Sequence, residues 1–204
     1  MDLKEISNFI TSSAKSLNIK KWDFGASFSN DFSVQVDKGI AKQLKASQKQ
    51  VLTLRVWNKK NLVGITTTSD LSENGLKKAL YQANLASDYG NKNELTDFSP
   101  LAKDPIKDIK QAKRSPAGIK KLLETLRFAE SELLKKHSAI KTIPYNGLSE
   151  SFYKRIYANS EGAQRSYAKS QAAIYLYARA EENNRKPRSS GSVKIGYGLS
   201  LIHI

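Results

Sequence analysis

The feature that most constrains this 204-residue sequence is a long two-residue alternation that follows a tight-turn motif. Residues 149–182 contain two strand-like runs separated by Asn159-Ser160-Glu161-Gly162. Asparagine favours the start of a type I turn, and glycine can adopt the left-handed conformation that a three-residue hairpin loop requires. The segment is therefore predicted to form a β-hairpin with Asn159 and Gly162 in its turn.

The second arm of this hairpin is amphipathic, because side chains alternate between the two sides of a strand. One side is small or apolar and suits packing against a helix; it carries Ser166, Ala168, Ser170, Ala172, Ile174, Leu176 and Ala178. The other side supplies the candidate peptide-facing or partner-facing residues, which are Tyr167, Lys169, Gln171, Tyr175, Tyr177 and Arg179. An extended peptide could bind there as an added strand. An ordinary solvated sheet face or a dimer contact would have the same composition.

The whole chain predicts an α+β fold with a mainly antiparallel sheet, a meander plus the long hairpin, and about three packed amphipathic helices. Helical periodicity covers residues 2–17, 70–90 with Asp70 as N-cap, and the segment from Ser115-Pro116 to His137. Residues 22–68 alternate with period two, and turn residues at 29–31, 38–39 and 58–61 divide them into short strands. Pro144 and Asn146-Gly147 predict a break before the hairpin.

These elements predict one domain over residues 1–198. Its first half, residues 1–90, contains a helix, the meander and a helix; its second half, residues 116–198, contains a helix and the hairpin. Residues 91–115 are predicted to form an exposed connection with a turn of helix at 106–110. Residues 199–204 resemble translated adapter sequence, so they are predicted to be a non-native tail on a truncated gene model.

The chain is strongly basic, with 34 Lys and Arg against 19 Asp and Glu and a net charge of +15. A small binding module for nucleic acid or another polyanion is therefore the alternative function. A phosphate-binding surface normally concentrates its charge in a stripe or an arm, whereas the excess here is spread over the chain, so a lysine-rich solvated surface is preferred. The absence of cysteine excludes disulfides and thiolate metal sites. No leader or membrane span is recognised, which predicts a cytoplasmic location.

Few residues could carry catalysis. His137 and His203 have no partner at metal-binding spacing. No Gly-x-Ser-x-Gly motif occurs, and Ser190-Gly191-Ser192 lies in a segment predicted to be a flexible loop. We therefore predict neither catalytic nor metal-binding residues in this chain.

Four motifs in order resemble the N-terminal domain of the TldD/PmbA metallopeptidase family. They are the strand 32–38 followed by Gly39-Ile40, the passage 64–72 into a helix, the turn Asn159-Ser160-Glu161-Gly162, and the strand that ends near Ala178-Arg179-Ala180-Glu181. The likeness spans the chain to about Gly198. Ile143-Pro144-Tyr145 points weakly to the PmbA-like branch.

The resemblance implies a cytoplasmic dimer or heterodimer of related subunits whose N-terminal domains help to enclose unfolded peptide substrates. It also implies that zinc is bound through a His-Glu-x-x-x-His motif in a C-terminal domain. That motif is missing here, since Ser138 follows His137 and Ile204 follows His203. The fragment is thus expected to be inactive alone, with zinc only in the missing domain or in a partner subunit.

Overall fold

A computed structural model describes residues 2–91, 97–104 and 116–197, and the fold is α+β as predicted. Within these residues the elements, in chain order, are α1 (Leu3–Ser16), β1 (Lys21–Asp37), β2 (Ile40–Trp57), β3 (Val63–Thr68), α2 (Glu73–Ser87), a 3-10 turn (Pro100–Lys103), α3 (Gly118–Lys135), β4 (Ile140–Asn159), β5 (Gln164–Ala180) and β6 (Arg188–Gly196). The helix predicted at 106–110 and the tail at 199–204 lie outside the described residues.

The six strands form one antiparallel sheet with the order β3-β2-β1-β4-β5-β6. The β2–β3 pairing runs from Leu52 opposite Thr68 to Trp57 opposite Val63. The β5–β6 pairing runs from Ala172 opposite Gly196 to Ala180 opposite Arg188. The prediction of a flexible loop around Gly191 is wrong, because this segment forms β6 and continues the sheet beyond the hairpin.

Two predicted strand breaks are also wrong. Residues 29–31 lie inside the continuous strand β1, and Asn146-Gly147 lies inside β4. Hydrogen bonding to neighbours on both sides outweighs the weak local preference of such residues for turns. In β4 the side chain of Asn146 also substitutes for backbone pairing, since its Oδ1 accepts from the Val36 N–H at 2.9 Å and its Nδ2 donates to the Val36 carbonyl at 2.8 Å.

The turns predicted at 38–39 and 58–61 are present. Lys38 and Gly39 both have positive φ, at 49° and 76°, which is the geometry of a two-residue hairpin turn. Asn58 stabilises the second turn, because its Oδ1 accepts hydrogen bonds from the N–H groups of Lys60 and Leu62. These turns position β1, β2 and β3 as the predicted meander.

The helix ends differ from their predictions. Ser72 rather than Asp70 is the N-cap of α2, and its hydroxyl accepts from the Gly75 N–H at 3.1 Å. Asp70 instead accepts from the Ser72 N–H, and hydrogen bonds from Ser72 lower the pKa of Asp70. The third helix begins at Gly118, later than predicted, and Ser115 lies outside the described residues.

The chain forms two compact units of three segments each. The first comprises Met1–Phe28, Lys49–Lys110 and Lys154–Tyr167, and the second comprises Ser29–Gln48, Gln111–Tyr153 and Ala168–Ile204. These units do not test the predicted division of the domain into residues 1–90, 91–115 and 116–198, which stays a prediction.

In the first unit, α1 and α2 pack over the sheet around a core whose largest fully buried members include Ile6, Ile10, Phe24, Leu54 and Leu80. Gly64 on β3 lets α2 approach closely, because a Cβ atom there would overlap the backbone of Ala83 and Ser87. In the second unit, α3 packs on a separate core of Val34, Val36, Leu122, Leu126, Ala129, Leu148, Ala172 and Ile174.

Two buried carboxylates anchor α3 within the second unit. Glu150 of β4 accepts a 2.6 Å hydrogen bond from the N–H of Ala117, directly before the helix. Glu130, 3% exposed, accepts from the Lys38 and Gly39 N–H groups at 3.1 and 2.7 Å. Glu150 thus satisfies a backbone N–H at the N-terminus of α3, and Glu130 ties the β1–β2 turn to α3.

Candidate functional site

The predicted amphipathic character of β5 is visible in the burial of its side chains. In the second unit, Ser170, Ala172 and Ile174 are buried, and Ala172 and Ile174 belong to the core beneath α3. We use the name tyrosine face for the opposite side of β5 in this unit, formed by Lys169, Gln171, Tyr175, Tyr177 and Arg179. Tyr167 has the same odd-numbered spacing on β5 as these residues, but it belongs to the first unit, where its side chain is 42% exposed.

Tyr175 is held in place from two sides. Its hydroxyl accepts a 2.9 Å hydrogen bond from Nε2 of Gln35 on β1. Its ring covers Gly147 on β4 so closely that a Cβ atom at that position would lie 2.5 Å from the Tyr175 Cε1. The absence of a side chain at position 147 therefore lets the ring lie along the sheet.

Tyr177 has the same relationship with the neighbouring strand. It pairs with Gly191 of β6, and a Cβ atom at Gly191 would overlap the Tyr177 ring. Tyr177 remains 40% exposed. Two successive outward tyrosines thus cover glycines on opposite neighbours of β5, and part of the Tyr177 side chain stays accessible.

The remaining members of the tyrosine face are polar. Lys169 and Gln171 are half-buried, and the guanidinium Nε of Arg179 forms a 2.8 Å ion pair with Glu181. The structure therefore places the predicted residues of the second unit on one strand face, with Tyr175 hydrogen-bonded to Gln35 and Tyr177 next to Gly191. Such a surface can contact side chains of an extended peptide, and it contains no nucleophile and base pair.

The β4–β5 turn belongs to the first unit. Asn159 Oδ1 accepts from the N–H groups of Glu161 and Ala163, at 3.1 and 3.0 Å, and Gly162 has a φ of 90°. A side chain at position 162 would be strained by this backbone conformation. Asn159 and Gly162, the two residues predicted to lie in the turn, thus determine the path of the chain from β4 to β5.

Sequence reasoning missed a buried polar group in the first unit. Asp23, 2% exposed, receives two hydrogen bonds from Arg55, from Nε at 2.8 Å and from Nη2 at 2.5 Å. The Tyr157 hydroxyl donates to Asp23 at 3.1 Å, and Asn159 Nδ2 lies 3.4 Å from that hydroxyl. Arg55 and Tyr157 are 32 and 134 positions from Asp23, so no local sequence pattern indicates that they contact it.

The cluster changes the acidity of its members. Burial, followed by the charge of Asp23, raises the pKa of Tyr157 above its ordinary value of 10.0. The side-chain hydrogen bond to Asp23 raises the pKa of Arg55. These shifts favour the charged guanidinium of Arg55 and the neutral phenol of Tyr157.

Aromatic and basic residues extend this cluster. The guanidinium of Arg55 lies 5.1 Å from the ring centroid of Trp57, and Phe98 packs edge-on against Trp57 at 5.0 Å. Lys21 lies over both rings and pairs with Asp97 at 2.6 Å, and this hydrogen bond lowers the pKa of Asp97. Contacts of this kind stabilise the packing of residues 97–98 on the sheet.

The described residues do not fit a zinc site. Across 2–91, 97–104 and 116–197, no three His, Cys, Asp or Glu side chains are grouped as metal ligands would be. Nδ1 of His137 accepts a hydrogen bond from the Ala139 N–H at 3.1 Å.

None of the helices among the described residues has the length and hydropathy that crossing a bilayer requires.

Comparison with known proteins identifies a related segment. Residues 112–203 match the family model described as PmbA/TldA metallopeptidase central domain. No curated protein matches the sequence.

Three solved structures share the fold. A proposed modulator of DNA gyrase from Thermotoga maritima superposes with a TM-score of 0.79 at 14% identity over 99% of this chain and 45% of the other. TldE from Thermococcus kodakarensis gives 0.69 at 14% identity over 94% and 42%. A proposed modulator of DNA gyrase from Bacteroides thetaiotaomicron gives 0.73 at 12% identity over 97% and 46%. The chain thus spans less than half the length of these proteins.

Proposed function

Because this chain belongs to the TldD/PmbA metallopeptidase family, whose central domain it matches over residues 112–203, we propose that it forms a substrate-enclosing and dimer-contacting part of a zinc peptidase. In this proposal the chain contributes surface and the bond-breaking groups come from elsewhere. The zinc would be bound in a further domain or in a partner subunit of the same family. The assembly would act on unfolded peptides in the cytoplasm.

The observation that supports this role is the arrangement of Tyr175 and Tyr177 over Gly147 and Gly191. Tyrosine provides a large contact area and loses little conformational freedom on binding, particularly where its ring is already fixed. Gln35 fixes the Tyr175 hydroxyl, and Tyr177 leaves 40% of its surface accessible. A peptide of variable sequence could therefore bind to this face through ring contacts that do not depend on one particular side chain.

Photo-crosslinking of the full-length protein, assembled with its partner subunit, tests the proposal. A p-benzoylphenylalanine side chain in place of Tyr177 should crosslink to a fluorescent unfolded peptide, and excess unlabelled peptide should compete. The matched control is the same substitution at Tyr89, which follows α2 and is 91% exposed. Equal labelling at both positions, or none at 177, would contradict the proposed role of the tyrosine face.

Kinetics provide a second measurement in the same assembly. Tyr177→Ala should raise KM for peptide hydrolysis several-fold with a smaller effect on kcat, because a remote binding contact is lost. Tyr89→Ala should change neither constant. Stoichiometric zinc in the purified 204-residue chain, or chelator-sensitive peptidase activity of that chain alone, would argue against a separate location for the catalytic groups.

A further inference from the structure

The N-terminal part of β2 has a neighbour strand on one side only. The pairing of β2 with β3 begins at Leu52 opposite Thr68, so residues 40–48 lie before it and have β1 as their strand neighbour. We use the name β2 edge for residues 40–48, all of which belong to the second unit. Backbone groups that point outward along such a segment have no strand partner among the described residues.

Neither side of the β2 edge is covered. No side chain from Ile40 to Gln48 is buried, and both Ile40 and Leu44 are largely in solvent, at 71% and 49% exposure. A strand normally buries at least one face, since burial of apolar side chains stabilises its pairing. Nine consecutive residues without burial, two of them large and aliphatic, are typical of a surface that a partner completes.

The β2 edge is nevertheless anchored. Its turn residues, Lys38 and Gly39, donate backbone hydrogen bonds to the buried carboxylate of Glu130 on α3. The Val36 backbone on the adjacent strand is held by the amide of Asn146. The segment is therefore preorganised in an extended conformation, which lowers the entropic cost of adding another strand.

Charge determines which strand can be added. Lys42 and Lys45 lie on the β2 edge, and no Asp or Glu occurs between Ile40 and Gln50. Lysines at a sheet edge oppose pairing with a second basic edge, and two copies of this chain would bring the same lysines together. Carboxylates on an incoming strand would instead neutralise them.

We infer that the β2 edge is a docking site for an extended, acidic segment of a partner protein, which pairs with it as an additional strand. Main-chain hydrogen bonds provide affinity, Ile40 and Leu44 provide apolar contacts, and Lys42 and Lys45 select carboxylate-bearing sequences. This surface is distinct from the tyrosine face, and its occupation does not depend on peptidase activity.

Fluorescence anisotropy with the 204-residue chain tests the inference. The probe is a labelled ten-residue peptide that alternates Glu with Val. The control is the same peptide N-methylated at every second residue. The unmethylated peptide should bind at least about tenfold more tightly, because methylation removes backbone donors needed for strand addition. The amides within residues 40–48 that point away from β1 should also become protected from hydrogen exchange when the peptide is present.

Two charge variants test the selectivity. Lys42→Glu/Lys45→Glu should weaken binding of the acidic peptide by roughly tenfold and favour a Lys-Val peptide instead. The matched control, Lys77→Glu/Lys78→Glu on exposed positions of α2, changes net charge equally and should leave binding unchanged.

Several outcomes would overturn the inference. Equal affinity for methylated and unmethylated peptides, or equal capture of duplex DNA, would identify a polyanion surface without strand addition. Loss of binding in the α2 control would show a response to total charge. Sedimentation of the chain as a dimer that Lys42→Glu/Lys45→Glu dissociates would show that a second copy occupies the edge, and absence of peptide binding would reject the site.

Discussion

The ring of Tyr175 lies directly over Gly147, and a Cβ atom at position 147 would come within 2.5 Å of the Tyr175 Cε1. The glycine on β4 and the tyrosine on β5 therefore form a single packing unit on the tyrosine face. Gln35 adds the hydrogen bond that holds the phenol in this position. Disturbing the glycine should thus displace the ring and break that bond.

The variant Gly147→Ala is expected to lower the free energy of unfolding by about 1–2 kcal/mol, because the Tyr175 ring must move away from Gln35. Denaturant titration measures this change. In a Tyr175→Ala background the same substitution should cost much less, which a double-mutant cycle reveals. Gly25→Ala is the control: no atom lies within 4 Å of its Cβ position, so it should not destabilise. Equal losses at both glycines would contradict the packing argument.

Replacing Asp23 by Asn should destabilise the chain by about 2 kcal/mol, since Arg55 loses its carboxylate partner in a buried position. Thermal or urea unfolding measures the effect. Asp97→Asn removes the carboxylate of a pair with Lys21 in which Asp97 is 70% exposed, and should cost much less than Asp23→Asn because solvent screens the pair. A larger loss for Asp97→Asn than for Asp23→Asn would refute the importance of burial.

The raised pKa of Tyr157 predicts that the chain loses stability at alkaline pH. Its pKa in the folded chain is raised above 10.0, so the folded state retains the phenol proton when the unfolded state has begun to release it. Stability from this group is complete below the unfolded pKa and declines as pH rises through the folded pKa. Urea titrations from pH 8 to 11 should show a shallower decline for Tyr157→Phe. The control Tyr89→Phe, at a 91% exposed position, should follow the parent chain.

The variant Glu150→Ala should destabilise α3 by about 1–2 kcal/mol, because the Ala117 N–H loses its acceptor and the helix N-terminus loses a nearby negative charge. Denaturant unfolding reports the loss. Glu124→Ala removes an equal charge from an exposed position within α3 and should change stability by less than about 0.5 kcal/mol. If the two variants behave alike, Glu150 does not act as the cap.

Local sequence patterns were sufficient for the elements that local forces dominate. Lys38-Gly39 predicted a turn because few residues tolerate positive φ, and the structure has positive φ at both positions. The same local logic failed at Asn146-Gly147, where hydrogen bonds between the Asn146 side chain and the Val36 backbone hold β4 against β1. It also failed for the segment around Gly191, because β5 provides a template that composition does not indicate.

The alternation along β5 by itself determined which side chains share a side of the strand, because a strand's period of two depends on covalent geometry alone. Of the predicted apolar side, only Ser170, Ala172 and Ile174 are buried. The tertiary structure decided what those side chains contact: Gly147 and Gln35 for Tyr175, Gly191 for Tyr177, and the distant pair Arg55 and Tyr157 for Asp23. Such contacts join residues far apart in the chain, so they depend on strand order and register. Those are properties of the folded sheet, and no window of the sequence contains them.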